Sequence, residues 1–172
     1  DVFFAQDAGA LGALSASGAL SELPLGILEK VDPQFRSRAG EWVGISGRAR
    51  SIVYNSERVS PEDLPESVVG FTDPSWAGRV GWAPTNASFQ AFVTAMRLAN
   101  GEQETREWLL GMLANNVNSY KNNSAIVQAV AAGEVDAGLV NHYYVYRFLS
   151  EEGPSFPARI YYPKGGDVGA VI

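Results

Sequence analysis

The order of apolar and polar positions predicts short strands that alternate with amphipathic helices along most of the chain. Strand-like apolar runs occupy residues 2–5, 42–45, 51–54, 79–83, 135–140 and 158–163. Between the later runs, apolar residues recur at i, i+3, i+4 and i+7, the spacing of one buried helical face. Residues 24–40 contain Pro24, Pro33 and Gly40, and we expect a loop there.

Three segments have the clearest helical faces. The first would bury Phe89, Phe92, Val93 and Met96, the second Trp108, Leu109, Met112 and Leu113, and the third Ile126, Val127 and Val130. A weaker helical spacing follows the first strand, and a further helix is expected from Tyr143 until Gly153 ends it. Strands and helices in this alternation predict an α/β fold with a mainly parallel sheet and helices on both faces.

The early and late strands are expected to belong to a different lobe from the central helices. We predict part of a first lobe at 1–45, a crossover at 46–54 and a second lobe at 55–155. Residues 156–172 would form the return crossover and a truncated strand of the first lobe. Because the chain begins with "DVFF" and stops within the apolar run "DVGAVI", we expect a fragment of a two-lobe protein.

The composition excludes several classes of function. The 172 residues are 46% hydrophobic and carry a net charge of −6, which argues against nucleic acid as a partner. Without cysteine, the chain has no disulfide, thiol nucleophile or Cys-ligated zinc. Its single histidine, His142, rules out a His-rich metal site. No apolar window is long enough for a transmembrane span.

Three predicted helix starts carry small polar residues. They are Thr85, Asn86, Ala87 and Ser88; then Asn122, Asn123 and Ser124; and finally Asn141 to Tyr144. Helix starts leave backbone N–H groups unpaired, and open α/β sheets bind ligands beyond the carboxyl ends of their strands. We therefore expect the first and third starts to face one crevice, which the second joins if its loop folds back. An anion such as carbonate or phosphate suits these N–H groups, although Ser, Thr and Asn are also ordinary helix caps.

The adjacent tyrosines Tyr143 and Tyr144 fall in the first turn of a predicted helix. Neighbouring helical residues point about 100° apart, so both phenols can flank one point and at least one should reach a surface or cleft. Ionising a phenol at pH 7 costs about 4 kcal/mol, whereas a helix start supplies only about 0.3–1 kcal/mol. A hard cation such as ferric iron could make up the difference. Contact with an organic ligand is an alternative, and the spacing alone favours half-buried aromatic packing.

Several segments resemble the periplasmic ferric-ion-binding proteins, the extracytoplasmic receptors of bacterial iron ABC transporters. The matching segments are "DVFFAQDAGAL", "WVGISGRARSIVYN", "DPSWAGRVGWAPTNASFQAFV", "NNSAIVQAVAAGEVDAGLVNHYY" and "RIYYPKGGDVGAVI". The Asn-x-Tyr-Tyr motif is the most specific of these. The resemblance covers nearly the whole chain and implies the type II periplasmic-binding fold.

The resemblance also implies a set of site residues. The paired tyrosine ligands of the family fall on Tyr143 and Tyr144. Its contacts to a synergistic anion, carbonate or phosphate, fall on Asn86, Ala87, Ser88, Asn123 and Asn141.

One expected iron ligand departs from the family pattern. Where many members have a carboxylate, this chain has Gln6 with Asp7 beside it, so Asp7, water or the anion would complete the site. A His or Tyr that many members supply from their first strand has no counterpart here, and His142 falls where the family has a non-ligand.

The function implied by this resemblance is capture of Fe(III) with a small anion for delivery to the membrane permease of an ABC transporter. We expect a periplasmic or extracytoplasmic monomer, with a lipid anchor as one option for its full-length form. Without a recognisable nucleophile–base or carboxylate pair, no enzyme is predicted. The alternatives are a binding protein for an organic or oxyanion ligand (phosphonate, sulfate or thiamine-like), and an α/β enzyme or sensor domain that uses the same cleft.

Two further polar features are open to interpretation. Tyr161 and Tyr162 form a second adjacent pair, but they lie in a predicted strand and should face opposite ways, as structural residues. Arg48 and Arg50 could balance an anion or pair with acids between lobes, and a structural role is favoured for each.

Overall fold

The computed structural model describes residues 1–5 and 8–164. The chain divides into two compact units, Asp1–Gly47 and Arg48–Ile172. The lobe boundaries predicted near residues 46–54 and 156–172 stay a prediction, and the predicted strand beyond residue 164 lies outside the described residues.

The first unit contains little regular structure. Helix α1 covers Ala8–Ala16, helix α2 covers Leu25–Leu28, and a short 3-10 turn covers Pro33–Phe35. The predicted loop at 24–40 is therefore partly helical, and Pro24 is the N-cap of α2, where its missing N–H removes no intrahelical hydrogen bond.

Two strand predictions in this unit are wrong. Residues 2–5 form no strand, and the side chains of Val2, Phe3 and Phe4 are 80%, 54% and 76% exposed. Only a single bridge, from Arg36 to Val43, replaces the strand predicted at 42–45. A short apolar run becomes a strand only where another strand pairs with its backbone, which the apolar pattern alone does not reveal.

The second unit is built on a five-stranded sheet. Its strands are β1 (Arg50–Asn55), β2 (Val80–Trp82), β3 (Asn118–Ser119), β4 (Ala137–Asn141) and β5 (Ala158–Tyr161), in the spatial order β3-β2-β4-β1-β5. Strand β2 pairs in parallel with both β3 and β4, whereas β1 runs antiparallel to β4 and β5. Four strands thus share one direction, as the mainly parallel prediction requires, and β1 makes the sheet mixed.

Helices cover both faces of this sheet, as predicted. They are α3 (Ala87–Asn100), α4 (Glu102–Ala114), α5 (Asn123–Ala131) and α6 (Tyr143–Glu152). One core cluster joins α3 and α4 to the sheet through residues such as Phe92 and Trp108. The other joins α5 and α6 to the opposite face through residues such as Ile126 and Val145.

The predicted helical faces are confirmed with one exception. Leu113 is 58% exposed, although Trp108 and Met112 on the same helix are buried. Leu113 follows Met112 directly and so points about 100° away from it, towards the rim of the helix. No helix in the described residues is long and apolar enough to cross a membrane.

Two glycines set the distance between α5 and the sheet. Gly81 in β2 and Gly138 in β4 face each other across a parallel pair. A Cβ on Gly138 would lie 2.3 Å from Cγ2 of Ile126, and one on Gly81 would lie 2.9 Å from the Tyr120 ring. Helix α5 therefore rests on a strip of sheet without side chains, which fixes the position of its first residue, Asn123.

Because β2, β3 and β4 are parallel, their carboxyl ends lie at one edge of the sheet. Helices α3, α5 and α6 follow these strands, and all three begin near that edge.

Candidate functional site

Hydrogen bonds bring the three polar helix starts together. At the start of α5, Asn123 Oδ1 accepts from the backbone N–H of Asn141, 2.9 Å away at the end of β4. The same oxygen accepts from Nη1 of Arg50 at 3.4 Å. Nη2 of Arg50 donates to Oγ of Ser88, in the first turn of α3, at 3.1 Å. The loop before α5 thus folds back, and the predicted convergence of the helix starts is confirmed.

Each asparagine that precedes a helix caps that helix. Asn86 Oδ1 accepts from the backbone N–H of Ser88 at 3.1 Å and from its hydroxyl at 2.6 Å. Asn122 Oδ1 accepts from the N–H of Ala125 at 2.9 Å. The ordinary capping role is therefore real for these two side chains, while Thr85 and Ala87 beside them are exposed. Helix α6 differs, since His142 precedes it without a side-chain cap.

Arg50 lies at the centre of this arrangement. It is only 4% exposed, and its guanidinium lies 5.7 Å from the ring centroid of Phe92. Burial lowers the pKa of Arg50 to about 10, against the opposing influence of Tyr143 and Tyr144, so the group stays cationic at neutral pH. This is a fixed positive charge at the carboxyl edge of the sheet.

Two buried polar atoms, one in the Arg50 guanidinium and one next to it in the sheet, have no hydrogen-bond partner within the described part of the chain. They are Nε of Arg50, a donor, and Oδ1 of Asn141, an acceptor. The two residues face each other as partners in the β1–β4 ladder. Buried polar groups are nearly always hydrogen-bonded, so an orphan donor and acceptor at one edge favour a ligand-binding site.

Tyr143 and Tyr144 stack against each other at the start of α6. Their ring centroids are 4.4 Å apart with 29° between the planes, and Tyr143 is 37% exposed while Tyr144 is half-buried. The prediction that at least one phenol reaches a surface is confirmed. A hydrogen bond with Tyr143 and burial raise the pKa of Tyr144, and the charges of Arg147 and Arg48 lower it less. Without a cation, Tyr144 is a neutral phenol.

The other residues predicted to bind metal, Gln6 and Asp7, lie outside the described residues. Within residues 1–5 and 8–164, no group of three or more His, Asp or Glu side chains could hold a metal ion. The stacked phenols of Tyr143 and Tyr144 offer two oxygen donors side by side.

The second tyrosine pair lies at the end of β5, and its structural role stays a prediction. Tyr161 ends β5 and packs on the core, whereas Tyr162 is 46% exposed. Burial and a hydrogen bond with Tyr146 raise the pKa of Tyr162 to about 12. The two side chains take different surroundings, but of the two only Tyr161 lies in a strand, because β5 ends before Tyr162.

The sequence favours a structural role for Arg50, and in the structure its guanidinium lies among the polar helix starts. Its place directly before the apolar run at 51–54 does not reveal its burial, so the sequence holds no local signal for this role. Lys and Arg are almost never fully buried unless paired, and Arg50 is buried on neutral partners.

Curated relatives match the entire chain. It is 36% identical over 173 residues to the Fe(3+)-binding periplasmic protein of Serratia marcescens. It is also 36% identical over 175 residues to the major ferric iron-binding protein of a Neisseria meningitidis serogroup A strain. The chain covers 51% and 53% of these proteins, so it spans about half the length of the curated relatives it matches.

Solved structures agree with this result. Iron-bound HitA from Pseudomonas aeruginosa superimposes with a TM-score of 0.84 and 35% identity, over 93% of this chain and 51% of that one. A Trichodesmium protein in complex with iron and citrate gives a TM-score of 0.82 and 27% identity, over 94% and 53%. The predicted type II periplasmic-binding fold is confirmed, as is the resemblance to ferric-ion-binding proteins. A family model for bacterial extracellular solute-binding proteins matches residues 1–172, and the chain belongs to that family.

Proposed function

We propose that this protein binds ferric iron together with a small anion, outside the cytoplasm, and delivers it to the membrane permease of an ABC transporter. The observation that carries the proposal is the stacked pair of phenols, Tyr143 and Tyr144, at the start of α6. Both relatives described above have names that state ferric iron binding, and the name of the Serratia marcescens protein also states that it is periplasmic.

Two phenolates are suitable ligands for Fe(III) as cargo. The cation must displace the proton of each phenol, and a hydrogen bond and burial hold the Tyr144 proton more firmly than in a free phenol. A weakly charged cation would not supply the free energy for this displacement, whereas a trivalent, hard cation does. The tyrosine pair therefore favours cations of high charge density over weakly charged cations.

The edge around Arg50 is suited to the anion. Ferric iron with two phenolates retains one positive charge, and the Arg50 guanidinium adds another close by. A bound carbonate or phosphate would neutralise both charges and offer acceptors to the free Nε of Arg50. Citrate is a third candidate, since the Trichodesmium neighbour holds iron with citrate. The proposed contacts are Thr85, Asn86, Ala87, Ser88, Arg50, Asn123 and Asn141.

The remaining iron ligands would come from outside the second unit. Gln6 or Asp7 is the proposed donor from the early segment, completed by the anion, by water or by further parts of a longer protein. Iron has a higher coordination number than two phenols can fill, so Tyr143 and Tyr144 are proposed as the anchoring part of the shell.

A binding function is proposed in preference to an enzymatic one, in line with the solute-binding family to which the chain belongs. The alternative of an organic or oxyanion cargo, such as a phosphonate, sulfate or thiamine-like molecule, is not favoured. The named relatives bind iron, and Tyr143 and Tyr144 offer two oxygen donors together.

Elemental analysis of the full-length protein tests the proposal directly. The metal-free protein is incubated with ferric citrate and bicarbonate, separated from free iron by gel filtration, and analysed for iron content. We expect about one retained iron per protein. If no iron is retained while phosphonate, sulfate or thiamine raises the melting temperature, the alternative cargo is correct and the iron proposal fails.

A further inference from the structure

We propose that His142 is a positioning residue that fastens the start of α6 to Ala49 and so holds Tyr143 and Tyr144 beside Arg48 and Arg50. The consequence for iron rests on the proposed function, whereas the connection itself is a property of the metal-free fold. His142 is the single histidine of the chain.

Two hydrogen bonds form this connection. The backbone N–H of Ala49 donates to Nδ1 of His142 at 3.0 Å, and the backbone N–H of His142 donates to the carbonyl of Ala49 at 3.0 Å. Arg50 and Asn141 are paired across β1 and β4, so Ala49 and His142 occupy the next rung of the same antiparallel ladder. The imidazole takes the place of a backbone acceptor and extends the ladder by one residue beyond β4.

At the other two helix starts, the side chain of the preceding residue caps its own helix. Asn86 and Asn122 both accept from N–H groups of the helix that they precede. His142 has helical dihedrals, φ −52° and ψ −41°, and makes no side-chain cap to α6. Its acceptor is directed to Ala49, the residue before β1, which points to a role in joining β1 to the start of α6.

The connection fixes the residues that matter to the proposed site. Ala49 lies between two arginines, one of which, Arg50, bridges Ser88 and Asn123. Arg48 lowers the pKa of Tyr144, and the two phenols in turn support the charge of Arg50. On its other side, the His142 ring packs edge-on against Tyr143, with centroids 5.8 Å apart. Loosening Ala49 would therefore change the distances between both guanidinium groups and both phenols.

Three substitutions separate the hydrogen bond from the ring. His142→Asn places an amide oxygen near the position of Nδ1, whereas His142→Gln places one near Nε2, and His142→Leu offers no acceptor. Asparagine should therefore preserve the bond from Ala49, and glutamine and leucine should lose it. Should leucine prevent folding, the asparagine and glutamine variants still decide the matter.

The first measurement is amide hydrogen exchange of Ala49 in the metal-free, full-length protein. Loss of one hydrogen bond predicts exchange about threefold to tenfold faster in the glutamine and leucine variants, with the asparagine variant close to wild type. Equal protection of Ala49 in all variants would overturn the inference.

The second measurement is iron affinity, by competition with citrate at constant bicarbonate. The glutamine and leucine variants should bind iron about threefold to tenfold more weakly, with rescue by asparagine. Equal weakening in all three variants would assign the effect to the ring and overturn the role of Nδ1. If the wild type binds no iron, the proposed function fails, and the exchange result alone decides whether the connection exists.

Discussion

Nη2 of Arg50 donates a hydrogen bond to Oγ of Ser88, 3.1 Å away, and thereby joins the first strand of the sheet to the start of α3. Its other terminal nitrogen reaches Asn123 at the start of α5. One guanidinium thus joins two of the three helix starts that would hold an anion. Its planar geometry allows the two terminal nitrogens to donate to different helices at the same time.

Replacement of Arg50 tests this role. Arg50→Lys keeps the charge but cannot reach both partners, so anion-dependent iron affinity should fall by about tenfold to a hundredfold, the range for a hydrogen bond to a charged group. Citrate competition with and without bicarbonate measures it. Arg106→Lys, at an exposed position on α4, is the matched control and should behave as wild type. An undiminished anion effect in Arg50→Lys would place the anion elsewhere.

Gly138 provides a test of how the sheet positions α5. In Gly138→Ala, the new Cβ would lie 2.3 Å from Cγ2 of Ile126, so the helix must shift. Overpacking of this kind should lower the free energy of unfolding by about 1–3 kcal/mol.

Urea unfolding followed by circular dichroism measures this change. Gly12→Ala is the control, because a Cβ there meets nothing within 4 Å and alanine favours the helix. An unchanged unfolding midpoint for Gly138→Ala would show that α5 does not rest closely on the sheet.

Asp136 makes stability depend on pH. Burial by itself would raise its pKa, but hydrogen bonds and charge from Arg79 and Arg58 outweigh burial, and the pKa is lowered in the folded protein. The ionised carboxylate of Asp136 therefore stabilises the folded protein fully at a pH above its unfolded pKa of about 3.9. This stabilisation is lost as the pH falls through the lower pKa of the folded state.

The wild type should therefore lose stability below about pH 4, and Asp136→Asn should lose less over that range. At pH 7 the variant should be less stable by about 1–3 kcal/mol, because the two arginines lose their shared carboxylate. Urea unfolding of the wild type and of Asp136→Asn, at pH 7 and below about pH 4, provides the comparison. Parallel curves for the two proteins across acid pH would remove Asp136 from this account.

The pattern along the sequence was sufficient for the parts of the fold that depend on local periodicity. The strands at 51–54, 79–83 and 135–140 appear as β1, β2 and β4, and the apolar faces of α3 and α5 are buried as expected. The direction of β1 was beyond the pattern, since a buried strand has the same apolar run whether its neighbour is parallel or antiparallel.

The site was predictable as a collection of residue types but not as a network. Helix starts with Asn and Ser suggested an anion site, and the Tyr143–Tyr144 pair suggested a cation. The burial of Arg50 depends on which residues face it across the sheet, and the bond from Ala49 to His142 joins positions 93 residues apart. Such long-range partners leave no trace in local spacing.

Iron binding should strengthen as the pH rises. The pKa of Tyr144 is raised by its hydrogen bond with Tyr143 and by burial, so the free site holds a proton that iron must displace. Because binding releases protons, iron affinity should increase about tenfold per pH unit for each phenol proton that iron displaces. A lower pH should favour release of the iron. Competition with citrate at several pH values, corrected for the protonation of citrate, measures the slope. A flat profile would show that neither phenol gives up its proton.

Tyr143 and Tyr144 are proposed to bind ferric iron as phenolates. The most direct measurement is the visible absorption spectrum of the full-length protein during titration with ferric citrate and bicarbonate, in wild type, Tyr143→Phe and Tyr144→Phe. Tyr161→Phe, in the second tyrosine pair, serves as the control. We expect a phenolate-to-iron charge-transfer band in the wild type and the control, strongly reduced or lost in either site variant. A band that persists unchanged in both site variants, or that is absent from the wild type with anion present, would contradict this proposal.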